Sequence, residues 1–109
     1  MLAPSPEIQE QMLMLGMAHR PNEVCGIYTR SHLYTLANIS PTPEVAYQID
    51  AEEVVQLLKR LQIADTDEFA IWHTHPSGLV GPSSGDMPTK VPGWNYYVVA
   101  IPSGEGTIF

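Results

Sequence analysis

Phe69-Ala70-Ile71-Trp72-His73-Thr74-His75-Pro76 runs directly into Ser77-Gly78-Leu79-Val80-Gly81-Pro82-Ser83-Ser84-Gly85-Asp86, and the change of character at Pro76 sets the architecture. The first part is short, apolar and rich in β-formers, so it reads as a buried strand. Side chains alternate along a strand, which puts His73 and His75 on one face, about 7 Å apart along the backbone. Proline has no N–H for the ladder, so the strand stops at Pro76. Gly78, Gly81, Pro82 and Gly85 then mark a loop able to fold back and carry Asp86 to the two imidazoles.

Two neutral nitrogens and one carboxylate oxygen, with no fourth obvious ligand, match a catalytic zinc better than a structural one. The open position is the place for a water. Ser83, three residues before Asp86, can place a hydroxyl nearby, where it would donate to the oxyanion formed when a carbonyl is attacked. A base is missing from this stretch.

The 109 residues are enough for one domain with a real core, expected to span 1–109. Apolar residues make up 44% and charged residues 16%, which argues against disorder. Five basic against twelve acidic residues give a net charge of −7, so there is no electrostatic footprint for nucleic acid or an anionic membrane. The single cysteine, Cys25, cannot form an intrachain disulfide. The N-terminus lacks the regions of a signal peptide, and no run is long enough for a membrane span, so the expected location is the cytoplasm.

Upstream, Ser5-Pro6-Glu7 is a helix start, with Ile8, Met12, Leu15 and Ala18 or His19 at helical spacing and Pro21 closing the helix. Met12, Met14 and Met17 read as core filler. Asn22–Thr29 reads as a strand, 33–39 as its hairpin partner, and 45–49 as a further short strand. Asp50 with Glu53 resembles a capping box, and Val54, Leu57, Leu58 and Leu61 line one face of a second helix. Trp94–Ile101 and Gly106–Phe109 read as the last strands. This order predicts an α/β sandwich with a mixed sheet and a helix on each side.

Glu23, at the mouth of the 22–29 strand and beside Cys25-Gly26, is the candidate base. Such a carboxylate can take a proton from water and later deliver it to a leaving amine. Nothing in the spacing alone brings it to His73.

His73-x-His75-Pro76, six residues, then Ser83-x-x-Asp86 resembles the signature of the JAMM (MPN+ or prokaryotic JAB-type) zinc metallopeptidases. Glu23-x-Cys25-Gly26 resembles the segment in which that family carries its catalytic glutamate. The resemblance implies His73, His75 and Asp86 as ligands of one Zn2+ per chain, with a catalytic water as fourth. It implies Glu23 as general acid/base and Ser83 as oxyanion stabiliser. The implied fold is a cytidine-deaminase-like α/β sandwich whose mixed β-sheet is flanked by two main helices (the JAB/MPN fold). Members cleave peptide or isopeptide bonds after the Gly-Gly tail of ubiquitin-like proteins. Prokaryotic relatives process sulfur-carrier proteins or occur in phage tail assembly. This sequence stops shortly after the 94–101 strand and lacks the long insertions of eukaryotic deubiquitinases. A small prokaryotic or viral enzyme therefore fits better than deubiquitination as such.

Blander readings stand beside these. His19 and His32 read as structural or surface residues. Asp86 and Ser83 could cap a short helix, and Glu23 could be a solvated carboxylate. Cys25 reads as a small buried hydrophobe rather than a nucleophile. The alternatives to a peptidase are a non-catalytic MPN-fold assembly module and a metal-dependent hydrolase of a small amide. A homodimer through an open sheet edge is a further option.

Overall fold

The computed structural model describes residues 3–109, so the first two residues of the expected domain lie outside it. In chain order the elements are α1 (Pro6–Ala18), β1 (Cys25–Tyr28), β2 (Leu33–Leu36), α2 (Ala51–Arg60), β3 (Ala70–His75), β4 (Tyr96–Ala100) and β5 (Gly106–Ile108). A 3-10 turn at Thr66–Glu68, which the sequence reading does not anticipate, precedes β3. The five strands form one sheet in the order β2-β1-β3-β4-β5. Only β3 and β4 are parallel, so the sheet is mixed.

The alternation of strand side chains divides the core into two layers. Tyr28, Ala70, Trp72, Tyr97 and Val99 face α1, where they meet Ile8 and Met12. Ile27, Ile71 and Tyr96 face α2, where they meet Val54 and Leu57. The helices therefore cover opposite faces, and the α/β sandwich expected from the sequence is what forms. Burying Val54 and Leu57 contributes about 1.5–3 kcal/mol each, enough to seat a ten-residue helix that is marginal alone.

The helix starts behave as their residues dictate. Ser5 Oγ accepts from the Ile8 N–H at 3.2 Å, with Pro6 in the first turn. Asp50 Oδ1 accepts from the Glu52 N–H at 3.0 Å, a cap one residue short of the expected box. On α1 the buried positions are Ile8, Met12 and Gly16, while Ala18 and His19 are exposed. Gly16 is required by close approach, since a Cβ there would lie 2.5 Å from Ile101 Cδ1. Of the three methionines read as core filler only Met12 is buried; Met14 and Met17 face out.

The expected strand at 45–49 does not form. Pro41 and Pro43 interrupt the approach to it, and the Asn38 side chain takes over the bonding. Asn38 Nδ2 donates to Ala46 O (3.1 Å), and Asn38 Oδ1 accepts from Gln48 N–H (3.1 Å). Backbone groups that a ladder would have satisfied are met by this side-chain amide and by one backbone bond, from the Ile39 N–H to the Gln48 carbonyl at 2.9 Å.

Parallel neighbours need a crossover, usually a helix. Here residues 76–95 make the crossover from β3 to β4 without one. Gly78 and Gly81 take φ of 89° and 83°, the left-handed region that other side chains resist. The loop thus turns back over the end of the strand it has just left.

Candidate metal centre

The site lies on the α2 side of the sheet, at the C-terminal end of β3. Cys25 sits opposite His73 in the β1–β3 ladder, so β1 delivers the residue before it, Val24, and then Glu23 to the same end. The backbone of Glu23 is pinned twice. Its N–H donates to Pro43 O (2.7 Å), and its carbonyl accepts from Asn38 Nδ2 (3.0 Å).

Nε2 of His73, Nε2 of His75 and Oδ2 of Asp86 form a triangle with every edge 3.1 Å. The crossover loop supplies the third corner, and a Ser83 N–H bond of 2.8 Å to the same Oδ2 holds it there. All three residues are 5% exposed or less. His75 Nδ1 lies 3.2 Å from the Leu79 carbonyl, which can only accept, so Nδ1 carries the proton and Nε2 presents its lone pair to the triangle. A carboxylate oxygen and imidazole lone pairs facing one another repel unless a cation lies among them. An edge of 3.1 Å is close to the ligand separation of about 3.3 Å that tetrahedral zinc with N and O bonds imposes. These residues fit a small divalent ion.

Glu23 adds a fourth buried donor, 5% exposed, with Oε1 lacking a hydrogen-bond partner among the described residues. One donor atom each from Glu23, His73 and His75 lies within 4.8 Å of the others. Burial pushes the Glu23 carboxyl up to about 7; His75 partly opposes this and Asp86 adds to it. A carboxyl that titrates near neutrality can both take and return a proton. Burial also raises Asp86, but in the absence of a cation an imidazole that carries its proton on Nε2 donates it to Oδ2, and such bonds hold that carboxyl well below the usual range. Burial lowers His73; at His75 burial is again the largest single effect, but Asp86, Glu23 and the Leu79 carbonyl together outweigh it and the shift is upward.

The expected residues thus come together. His73, His75 and Asp86 share one buried point, Glu23 lies beside the two histidines, and Ser83, half-buried, reaches Asp86 through its backbone N–H. Cys25 is fully buried, and burial, with Glu23 adding, pushes its thiol up to about 12. That is an inert thiol, not a nucleophile. His19 and His32 are exposed, as read, bonded to Leu15 O and to the Ser31 hydroxyl.

Three residues escaped the sequence reading. Asn38 ties Glu23 to the 46–48 segment. Thr74 bonds to Val24 from between the histidines. Tyr47 stacks on His73 with ring centroids 4.0 Å apart and planes at 21°. Tyr47 also lines a cavity of about 500 Å³ beside the site, walled mainly by Ile49, Val54, Val91, Trp94 and Tyr96, with Gly85 next to Asp86. Only Thr74 had a signal, as a hydroxyl aimed to the opposite face from the two histidines.

Residues 5–106 match the family of prokaryotic homologs of the JAB domain. This is the family the His73–Asp86 motif resembles. The chain is 32% identical over 93 residues to a Haloferax volcanii protein named desampylase, an alignment covering 79% of this chain and 66% of that protein. It is similar in fold to a solution structure from Desulfitobacterium hafniense, with TM-score 0.72 and 21% identity, over 99% of this chain and 81% of that one. A second solution structure, from Salinibacter ruber, gives TM-score 0.56 and 18% identity, over 97% and 77%.

Proposed function

The chain belongs to the family of prokaryotic homologs of the JAB domain, and on that premise we propose that it is a zinc-dependent metallopeptidase. The bond it hydrolyses is a peptide or isopeptide bond after the Gly-rich C-terminal tail of a ubiquitin-like or sulfur-carrier-type protein. The observation that carries the reading is the 3.1 Å triangle of His73, His75 and Asp86 with the buried Glu23 carboxyl alongside. The relation to a protein named desampylase supports a hydrolase.

His73, His75 and Asp86 would hold the zinc. When bound, zinc lowers the pKa of a water to about 7 and polarises a substrate carbonyl. Glu23, buried beside the two histidines, takes the proton from the attacking water and gives it to the departing amine, so one carboxyl serves as base and then acid. The Ser83 hydroxyl donates to the oxygen that gains charge in between. The site's burial argues for the substrate class. With all four groups at 5% exposure or less, a tail without side chains can reach the point of reaction where a bulky one is excluded.

Location in the cytoplasm and a role in phage tail assembly belong to this proposal as its broader options. Hydrolysis of a small amide is the second reading, favoured by the cavity of about 500 Å³ beside Tyr47.

The test has two steps. Metal-stripped protein is reloaded with zinc, and metal content is measured for the wild type and His75→Ala. Zinc-loaded protein is then given a ubiquitin-like protein extended beyond its Gly-Gly tail, and a short acyl-peptide amide. About one zinc per wild-type chain, little in the variant, and cleavage of the extended protein are expected. Cleavage of the small amide alone would favour the second reading. A zinc-loaded wild type that cleaves neither would favour the assembly-module alternative.

A further inference from the structure

Metal-binding histidines are ordinarily aimed by a hydrogen bond on the nitrogen that faces away from the ion. His75 has that bond, from Nδ1–H to the Leu79 carbonyl. His73 does not. Its ring is fully buried, and its Nδ1 has no hydrogen-bond partner among the described residues. Nothing polar sets the plane of this imidazole on its far side.

Aromatic surfaces do so instead. Tyr47 lies nearly flat on the His73 ring, with centroids 4.0 Å apart, and Phe109 meets it edge-on at 5.9 Å and 86°. Rotating the imidazole about its side-chain axis would drive an edge into the tyrosine face, because carbon atoms at about 3.5–4.0 Å are already in contact. The tyrosine is itself fixed. The Asn38 amide bonds the backbone of Ala46 on one side of it and of Gln48 on the other, and also the carbonyl of Glu23. One amide therefore sets the tyrosine that abuts a proposed ligand and the backbone of the proposed base.

The geometry points to Tyr47 as the positioning residue of His73, its ring rather than its hydroxyl holding the imidazole so that Nε2 faces His75 and Asp86. This rests on the reading of His73 as a metal ligand.

The test compares zinc dissociation constants, by chelator competition, for the wild type, Tyr47→Phe and Tyr47→Leu, with the visible spectrum of each cobalt-loaded protein. Melting of the metal-free proteins serves as the control for packing. Tyr47→Phe keeps the ring and is expected within about twofold of the wild type. Tyr47→Leu keeps apolar bulk without the flat surface and is expected to bind about tenfold or more weakly, with an altered cobalt spectrum. A purely structural role would lower the melting temperature of metal-free Tyr47→Leu and leave its zinc affinity and cobalt spectrum as in the wild type; that result overturns the inference. So does Tyr47→Phe binding as weakly as Tyr47→Leu, because the hydroxyl would then be the acting group. A wild type that binds no zinc overturns the metal reading itself, and this inference with it.

Discussion

Thr74 and Val24 hold each other twice. The Thr74 N–H donates to the Val24 carbonyl at 2.9 Å, and the Thr74 hydroxyl accepts from the Val24 N–H at 3.0 Å. Thr74 lies between the two histidines and Val24 adjoins Glu23, so this pair fixes the distance from the carboxyl to the imidazoles. It does so from the far face of the sheet, because alternation turns Thr74 away from its neighbours.

Thr74→Val keeps the shape and removes the acceptor, leaving the buried Val24 N–H without that bond. A loss of about 1–3 kcal/mol in unfolding free energy is expected. Zinc content should stay near wild type, since His73 and His75 remain on the same strand, while turnover falls through a displaced Glu23. Denaturant melts, metal analysis and kcat on one preparation check this. Loss of zinc with turnover intact would contradict it.

The raised Glu23 pKa makes stability depend on pH in a definite direction. The carboxyl titrates at 4.5 in its ordinary state and at about 7 in the fold, so the folded state binds its proton more tightly. The stabilisation is complete below about pH 4.5 and is lost as pH rises through 7, about 3 kcal/mol across that window. Metal-free Glu23→Gln lacks this slope, so it should be more stable than the wild type at pH 8, with the gap closing toward pH 4.5. Loading zinc should flatten the wild-type slope, because a nearby cation favours the carboxylate. Glu23→Gln should also keep its zinc and lose cleavage. Parallel stability curves for the two metal-free proteins would refute the assignment of the pKa.

A buried thiol held up at about 12 does not react at neutral pH. Iodoacetamide at pH 8 should leave cleavage untouched, and Cys25→Ala should retain activity within about twofold, at a modest cost in stability. Inactivation by the reagent, with zinc still bound, would revive a cysteine-based mechanism.

Gly26 makes room for the Trp72 indole, whose Nε1–H crosses β1 to donate to the Tyr34 carbonyl at 3.1 Å. A methyl at position 26 would overlap that carbonyl oxygen and come within 2.9 Å of Thr35 Cα and Trp72 Nε1. Gly26→Ala is therefore expected to destabilise the protein by about 3 kcal/mol. It should also lower the yield of zinc-loaded protein, since β1 and β3 carry the site between them. Thermal melting checks it, and an unchanged midpoint would show that the strands shift freely.

The sequence by itself determined the strand that carries the histidines, the stop at Pro76 and the turning glycines, because each follows from one residue's own backbone chemistry. It also determined both helices, through Ser5 and Asp50 as caps and the spacing of Val54, Leu57, Leu58 and Leu61. The sandwich of one sheet between two helices followed from that order of elements. The motif named the candidate site residues, and its resemblance to a family named their roles.

Only the tertiary structure decided how far these residues converge. The 3.1 Å triangle depends on a crossover loop with no periodicity to read, and Glu23 reaches it across a ladder between strands over forty residues apart in sequence. Tyr47 sat in a run that looked like a strand. It became a ring on His73 because the Asn38 side chain and the Ile39 N–H supplied the hydrogen bonds that a neighbouring strand would have given. Local pattern reports what a residue prefers for its own backbone; which distant group satisfies that backbone is settled by packing, and here packing placed the residues around the candidate metal site.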